Sequence, residues 1–215
     1  MAIQQNGIPG GFSGKIGNVI GYIYNGRQVI RSVPRKSNKP ATPAQQRQRV
    51  AFSLVAKFLA PLRALINKAY GTKSNYQKAL SYHTKEAITG VFPDLALDFG
   101  KVVITKGNLI GASTTVTILG DEIHFNWIDD KRNRLCEATD LVILAVYNAT
   151  KNLHFYTIGP ANRAAEAASI TIYGSFLGDA VHCWIGFIAS DEKKVSTSMY
   201  VGTVEIANYN ANFRL

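Results

Sequence analysis

The first ninety residues contain one acidic side chain, Glu86, against fourteen Lys and Arg. Residues 91–215 reverse the balance, with thirteen Asp and Glu against ten Lys and Arg, so a formal net charge of +10 divides into +13 and −3. A basic part joined to a mildly acidic one points to an acidic partner: nucleic acid, an anionic surface, or the acidic half of a neighbouring copy. Cysteine is scarce as well. Cys136 and Cys183 cannot make a disulfide framework and read as reduced thiols of a cytoplasmic protein. The opening "MAIQQNGIPGGFSG" has neither the basic start nor the apolar run of a signal peptide. "LVILAV" is only strand length, and "AFSLVAKFLAPLRALI" is interrupted by Lys57, Pro61 and Arg63, so no membrane partner is expected.

The residues of catalysis are equally thin. His83, His124, His154 and His182 form no HxxxH, HExxH or CxxC spacing, so neither a metal nor a cofactor is expected. "GIPGGFSGKIG" lacks the preceding strand and the following Lys-Ser/Thr of a phosphate-binding loop, and no nucleophile elbow occurs. His182 and Cys183 are neighbours in a strand pattern and therefore face opposite sides, which removes a thiolate–imidazole pair. Asp121-Glu122 and Asp129-Asp130 sit at turn positions, where carboxylates serve the backbone. No catalytic residue and no small-molecule substrate is indicated, and the expectation is a protein that is not an enzyme.

What is present is architecture. A composition 47% hydrophobic and 18% charged over 215 residues can bury one large core or two small ones. "KIGNVIGYIYNGRQVIRSV" reads as a β-hairpin, because Asn25-Gly26 is the preferred pair for a two-residue turn with positive φ at both positions. That turn sets Tyr24 opposite Arg27, Tyr22 opposite Val29 and Ile20 opposite Arg31. One face then carries Ile20, Tyr22, Tyr24, Arg27, Val29 and Arg31. The other carries Gly17, Val19, Gly21, Ile23 and Ile30, and its two glycines suggest close approach of a ring or another backbone.

"TPAQ" opens a helix with Thr42 as cap, Pro43 at the first position and Gln45 closing a capping box. Val50, Leu54, Phe58, Leu62 and Leu65 share one face, widened by Ala51, Val55 and Leu59. Pro61 kinks this helix or starts a new one, and Gly71 ends it. A further helix is expected from about Asn75 to Thr89, stopped by Gly90. After Phe92-Pro93 the period becomes alternating: "EIHFNWI" sends Ile123, Phe125 and Trp127 one way and Glu122, His124 and Asn126 the other. "DLVILAVYN", "NLHFYTI", "AASITIY", "AVHCWIGFIAS" and "STSMYVGTVEI" follow, separated by polar turns. The expected fold is α+β. A basic arm, hairpin and two helices occupy 1–90, and an antiparallel immunoglobulin-like β-sandwich occupies 91–215.

Residues 10–62, "GGFSGKIGNVIGYIYNGRQVIRSVPRKSNKPATPAQQRQRVAFSLVAKFLAPL", resemble the N-terminal signature of the family described as domain of unknown function 6266. Residues 178–206, "GDAVHCWIGFIASDEKKVSTSMYVGTVEI", are similar to its C-terminal signature. The resemblance implies a place among proteins found mainly in Bacteroidota and supports the two-part layout; it brings no catalytic residues. "KSNKPATPAQQRQR" is also similar to segments of some phage-type structural proteins.

The basic stretch therefore carries the functional expectation. Arg27, Arg31, Arg35, Lys36, Lys39, Arg47 and Arg49 either neutralise phosphates or lie on the acidic part of another subunit. Tyr22 and Tyr24 could stack on bases, but the plainer reading is hairpin packing, since a lone hairpin needs a hydrophobic dock. A Gly-rich arm, a hairpin in need of a partner and a part of opposite charge favour a self-assembling structural or scaffold protein, a homo-oligomer or filament. Nucleic-acid binding through the same basic residues is the alternative.

Overall fold

Two-residue turns organise the N-terminal segment. In the computed structural model, which describes residues 3–4, 11–35, 39–69, 75–129, 136–172, 176 and 178–206, Asn25 and Gly26 have φ of 49° and 76°. They join β3 (Val19–Tyr24) to β4 (Arg27–Ser32) in the expected register, Tyr24 opposite Arg27 and Ile20 opposite Arg31. Gly17, at φ 57°, is not a packing glycine: with Asn18 it turns β2 (Phe12–Ile16) into β3, and nothing would touch a Cβ there. The segment is thus a meander in the order β1-β2-β3-β4, with β1 at Ile3–Gln4, and it forms one compact unit, Met1–Thr42.

The second unit begins at Pro43 and runs to Leu215. Its helices are α1 (Pro43–Leu59), α2 (Arg63–Ala69) and α3 (Asn75–Glu86). Pro61 falls in the break between α1 and α2, whose axes differ by 85°. Ala51, Val55, Phe58 and Leu59 are the buried residues of α1, whereas Val50 is 36% exposed and Leu54 half-buried. The buried stripe is therefore rotated from the one expected, because the broken helix packs only its second half. Gly71 lies outside the described residues. α3 stops short of Thr89, and Gly90 belongs to a small hairpin, β5 (Ile88–Val91) with β6 (Asp94–Leu97). At φ 87°, with Asp94 O 2.2 Å from where a Cβ would stand, Gly90 is fixed by the hairpin and not by a helix end.

Seven longer strands follow. β9 (Leu141–Asn148), β10 (Leu153–Asn162), β12 (Ala180–Ile188) and β13 (Met199–Glu205) make a sheet in the order β10-β9-β12-β13. β7 (Ser113–Leu119), β8 (Glu122–Ile128) and β11 (Ala167–Thr171) make a second, ordered β11-β8-β7. All pairings within these two sheets are antiparallel. Side chains alternate across β9 and β12. Val142, Leu144, Val146, Cys183, Ile185 and Phe187 meet Ile123, Phe125 and Trp127 of β8 in one core. Ile143, Ala145, Tyr147, Trp184 and Ile188 meet Val55, Phe58, Leu59, Leu62 and Ile66 of the helical layer in the other. The helices thus share a core with the large sheet. The boundary expected at residues 90/91 is a change of charge and period; the packing boundary is at Thr42/Pro43.

One ionic group ties the facing sheets together. Arg163 is 1% exposed; its Nε lies 3.2 Å from Asp140 Oδ2, its Nη2 donates to Ile110 O at 2.7 Å, and its guanidinium stands 3.9 Å over the Phe187 ring. Its carbonyl accepts from Trp127 Nε1 at 2.8 Å, and Asp129 approaches from the far side at 4.0 Å. Removing the guanidinium would leave two buried carboxylates without a counter-charge, which costs about 3–5 kcal/mol for comparable buried pairs. Arg163→Ala is expected to lose stability of that order in urea unfolding, and Asp140→Asn distinctly less than Arg163→Ala; equal, small effects would show the group to be dispensable.

Three histidines lie on the helical side of the large sheet. His83 accepts from Val103 N–H at its Nε2, so its Nδ1 carries the hydrogen donated to Ala79 O, and burial lowers its pKa. His154 packs between Phe58 and Tyr147 with its Nε2 unpartnered among the described residues, and burial holds its pKa down at about 4. His182, stacked on Phe99 at 3.9 Å, is also lowered by burial. Between pH about 6.5 and 4 the unfolded chain takes up protons that folded His154 refuses. This contribution is fully present above that window and is lost as pH falls through it. The melting temperature is expected to fall between pH 7 and 4.5, with a shallower slope in His154→Gln measured by calorimetry; an unchanged slope would contradict the assignment.

Candidate functional site

A four-stranded sheet has two faces to cover, and the N-terminal unit is one layer thick. On one face the register aligns Lys15, Ile20 and Arg31 across three strands, followed by Tyr22 with Val29 and Tyr24 with Arg27. Tyr22 is half-buried beneath the Arg31 guanidinium, 5.7 Å from its ring centroid, while Tyr24 is 64% exposed. The other face carries Phe12, Ile16, Val19, Ile23 and Ile30, of which Ile16, Ile23 and Ile30 are at least half exposed. At its centre is Gly21, where a Cβ would stand 2.6 Å from both the Phe12 ring and the Phe12 carbonyl. The absent side chain lets Gln28 Nε2 reach across to donate to that carbonyl at 2.7 Å. The close approach expected at Gly21 is therefore present, made by Phe12.

The basic residues are separated into two groups. Arg27 and Arg31 lie on the sheet and Arg35 and Lys39 in the chain after it, all exposed; Lys36 lies outside the described residues. Arg47 and Arg49 belong to the second unit, on the first two turns of α1, where every residue from Pro43 to Val50 is exposed. Two positions apart on a helix, they point to different sides and cannot form one row. No acidic residue occupies the first turn of α1, so these cations sit near the helix end that favours anions. Lys15 escaped the sequence reading because Gly17-Asn18, itself a hairpin pair, had been assigned to the strand.

Elsewhere, a cleft of about 870 Å³ is lined by Lys78, Lys106, Lys193 and Lys194 together with Glu137, Asp140 and Asp191. Its charges are drawn to one another and to rings: Lys193 to Asp191 at 3.7 Å, Lys106 to the Tyr82 ring at 4.2 Å, and Asp140 to Arg163. The described lining contains no His or Cys. Cys183 is buried in the sandwich interior, with its pKa pushed up to about 12 by that burial, and His182 points to the opposite face. Among the described residues no group of three or more His, Cys, Asp or Glu is placed to hold a metal ion, and no single helix is long and apolar enough to cross a membrane.

The N-terminal sheet thus leaves apolar side chains exposed on both faces, and its integrity rests on Gly21. Gly21→Val is expected to open this sheet alone. Trypsin should cut after Arg27 and Arg31 many-fold faster than in the wild type, while the unit beginning at Pro43 keeps its melting temperature. Unchanged cleavage would mean that the Phe12 contact does not hold the meander.

A search of curated proteins returns no match. The sequence profile of a family of unknown function does match, over residues 11–202, which takes in β2 to β4 of the meander, the helices and the final strand as far as Gly202. The chain belongs to that family, DUF6266.

Proposed function

We propose that this is a non-enzymatic, self-assembling structural or scaffold protein whose basic N-terminal arm and sheet engage neighbouring copies. The observation that carries this reading is the single-layer sheet, with Ile16, Ile23 and Ile30 exposed on one face and Tyr24, Arg27 and Arg31 on the other. Sheets need a covering layer, and among the described residues β4 also presents an unpaired edge. A contact in which one region of each copy meets a different region of the next closes into a ring or continues as a filament. The second unit suits a rigid building block if its two facing sheets are an immunoglobulin-like sandwich. In favour, the first, second and fifth of the seven strands share one sheet, the third, sixth and seventh share the other, and the fourth lies beside the third. Cys136 and Cys183, neither of them in a disulfide, are compatible with the reducing cytoplasm.

Nucleic-acid binding is the second reading, favoured by Arg31 over Tyr22 beside an exposed Tyr24, an arrangement able to stack a base and hold its phosphate. Light scattering of the nuclease-treated full-length protein separates the two. Self-assembly predicts particles several times the 23.5 kDa chain at low salt, dissociating as exposed charge is screened over about 8 Å at physiological ionic strength. Removal of residues 1–41 should give monomers that retain the β-sheet circular dichroism. A full-length protein that stays monomeric at high concentration and low salt overturns the reading. Tight binding of duplex DNA, with a salt slope that flattens by about 0.9 for each basic residue changed to Gln, would put the second in its place.

A further inference from the structure

Charge is sorted between two sheets of this chain. Residues 1–42 contain Lys15, Arg27, Arg31, Arg35, Lys36 and Lys39 and no acid. Residues 107–130 and 164–192, which supply all of β7, β8 and β11, contain Asp and Glu but no Lys or Arg. The outward face of that three-stranded sheet follows from its register: Ser113, Thr115, Thr117 and Leu119 on β7, Glu122, His124, Asn126 and Ile128 on β8, and Ala167, Ser169 and Thr171 on β11. Between the ends the face is built of hydroxyl and amide side chains around one imidazole, His124, which lies between Thr117 and Ser169 and leans to Glu122 at 3.4 Å. At opposite ends stand two bare apolar residues, Leu119 at 70% and Ile128 at 73% exposure.

The acids also lie at the ends. Glu122 starts β8 opposite Thr171 and lies 3.4 Å from His124; Asp121 in the turn before it, and exposed Glu166 just before β11 and opposite Trp127, flank the outward row at its margins. Five residues of strand separate Glu166 from Thr171, roughly 17 Å at the usual rise. On the N-terminal sheet Arg27 and Arg31 stand four residues apart, roughly 13 Å, on a face that also presents Tyr22, Tyr24 and Ile20. Each sheet thus has charge towards both ends and groups for contact between them, and the signs are opposite.

We propose that the outward face of β7, β8 and β11 receives the Tyr22–Arg27–Arg31 face of the N-terminal sheet of a second copy. This rests on the self-assembly reading and gives it a direction: each copy offers a basic sheet and accepts one on an acidic sheet. In aligned sheet-on-sheet packing about 10 Å apart the side chains of the two faces interdigitate, and the short hydroxyl side chains of the receiving face leave room for the tyrosines of the other. Arginine set against exposed carboxylates at the rim selects the partner and its register.

Two charge-reversed full-length variants test it. One carries Arg27→Glu with Arg31→Glu; the other carries Glu122→Arg with Glu166→Arg. Sedimentation velocity at low salt, after nuclease treatment, should find each variant alone at the 23.5 kDa monomer and the equimolar mixture back at the wild-type particle size. In the mixture every reversed sheet meets a reversed face and every native sheet a native one. Recovery on mixing also establishes that both variants are folded, and a sheet folded back on its own chain would not recover. If the wild type assembles and Glu122→Arg with Glu166→Arg assembles equally well, the receiving face is wrong while self-assembly stands. If both variants are monomeric with wild-type circular dichroism and the mixture stays monomeric, the pairing is wrong. A monomeric wild type, or particles dispersed by nuclease, removes the proposal together with the reading beneath it.

Discussion

β9 and β12 lie side by side in the middle of the larger sheet, and neither face of either strand meets water. Every residue from Val142 to Asn148 is buried, as is every residue from Cys183 to Ile188. A strand pair of this kind needs a layer on each side, since uncovered faces would forfeit about 25 cal/mol for each Å² of apolar surface left wet. The three-stranded sheet supplies one layer and α1, α2 and α3 supply the other. Gly186 shows how closely the second layer comes down, because a Cβ there would stand 2.8 Å from Thr105 Oγ1. The segment around Thr105 is held in turn, with Ser198 Oγ accepting from Ile104 N–H and Thr105 Oγ1 donating to Ser196 O.

Arg163 has a different role from the apolar packing around it. Hydrophobic contacts do not discriminate strongly between registers of two sheets, whereas a buried guanidinium with fixed acceptors admits one arrangement. Asp140 leads into β9, Ile110 precedes β7 and Phe187 lies near the end of β12, and all three meet this side chain, while Trp127 near the end of β8 donates to the Arg163 carbonyl. Such a group is costly to desolvate, so its worth lies in alignment more than in net stability.

Local chemistry was legible wherever one or two residues decide the outcome. Asn25-Gly26 set the register of β3 against β4, Pro61 broke the helix, and the alternation of "EIHFNWI" identified the inward face of β8. Tertiary choices were not legible. "LVILAVYN" is apolar on both faces, so it does not tell which layer covers each, and the helices could not be assigned to the sheet from period alone. The fall in positive charge near residue 90 resembled a domain boundary but marks only a change of surface. Ile88, Thr89 and Gly90 fitted the end of a helix as well as they fit a hairpin. For the proposed interaction surface the cations themselves were plain. Their division between a sheet and a helix was not, nor was Lys15 in line with Arg31 across Ile20, which depended on a second turn at Gly17-Asn18.

The positions of the histidines have a further consequence. His83, His154 and His182 all reach into the layer between the helices and the large sheet, while the described core between the two sheets is lined by aliphatic and aromatic side chains and a thiol. Protons taken up in acid are therefore delivered to one seam of the three-layer stack. The helical layer is thus the side on which histidine protonation is least tolerated, while the pair of facing sheets is closed over Trp127 and Phe187. Acid bears on this molecule along a plane, between layer and layer, rather than throughout.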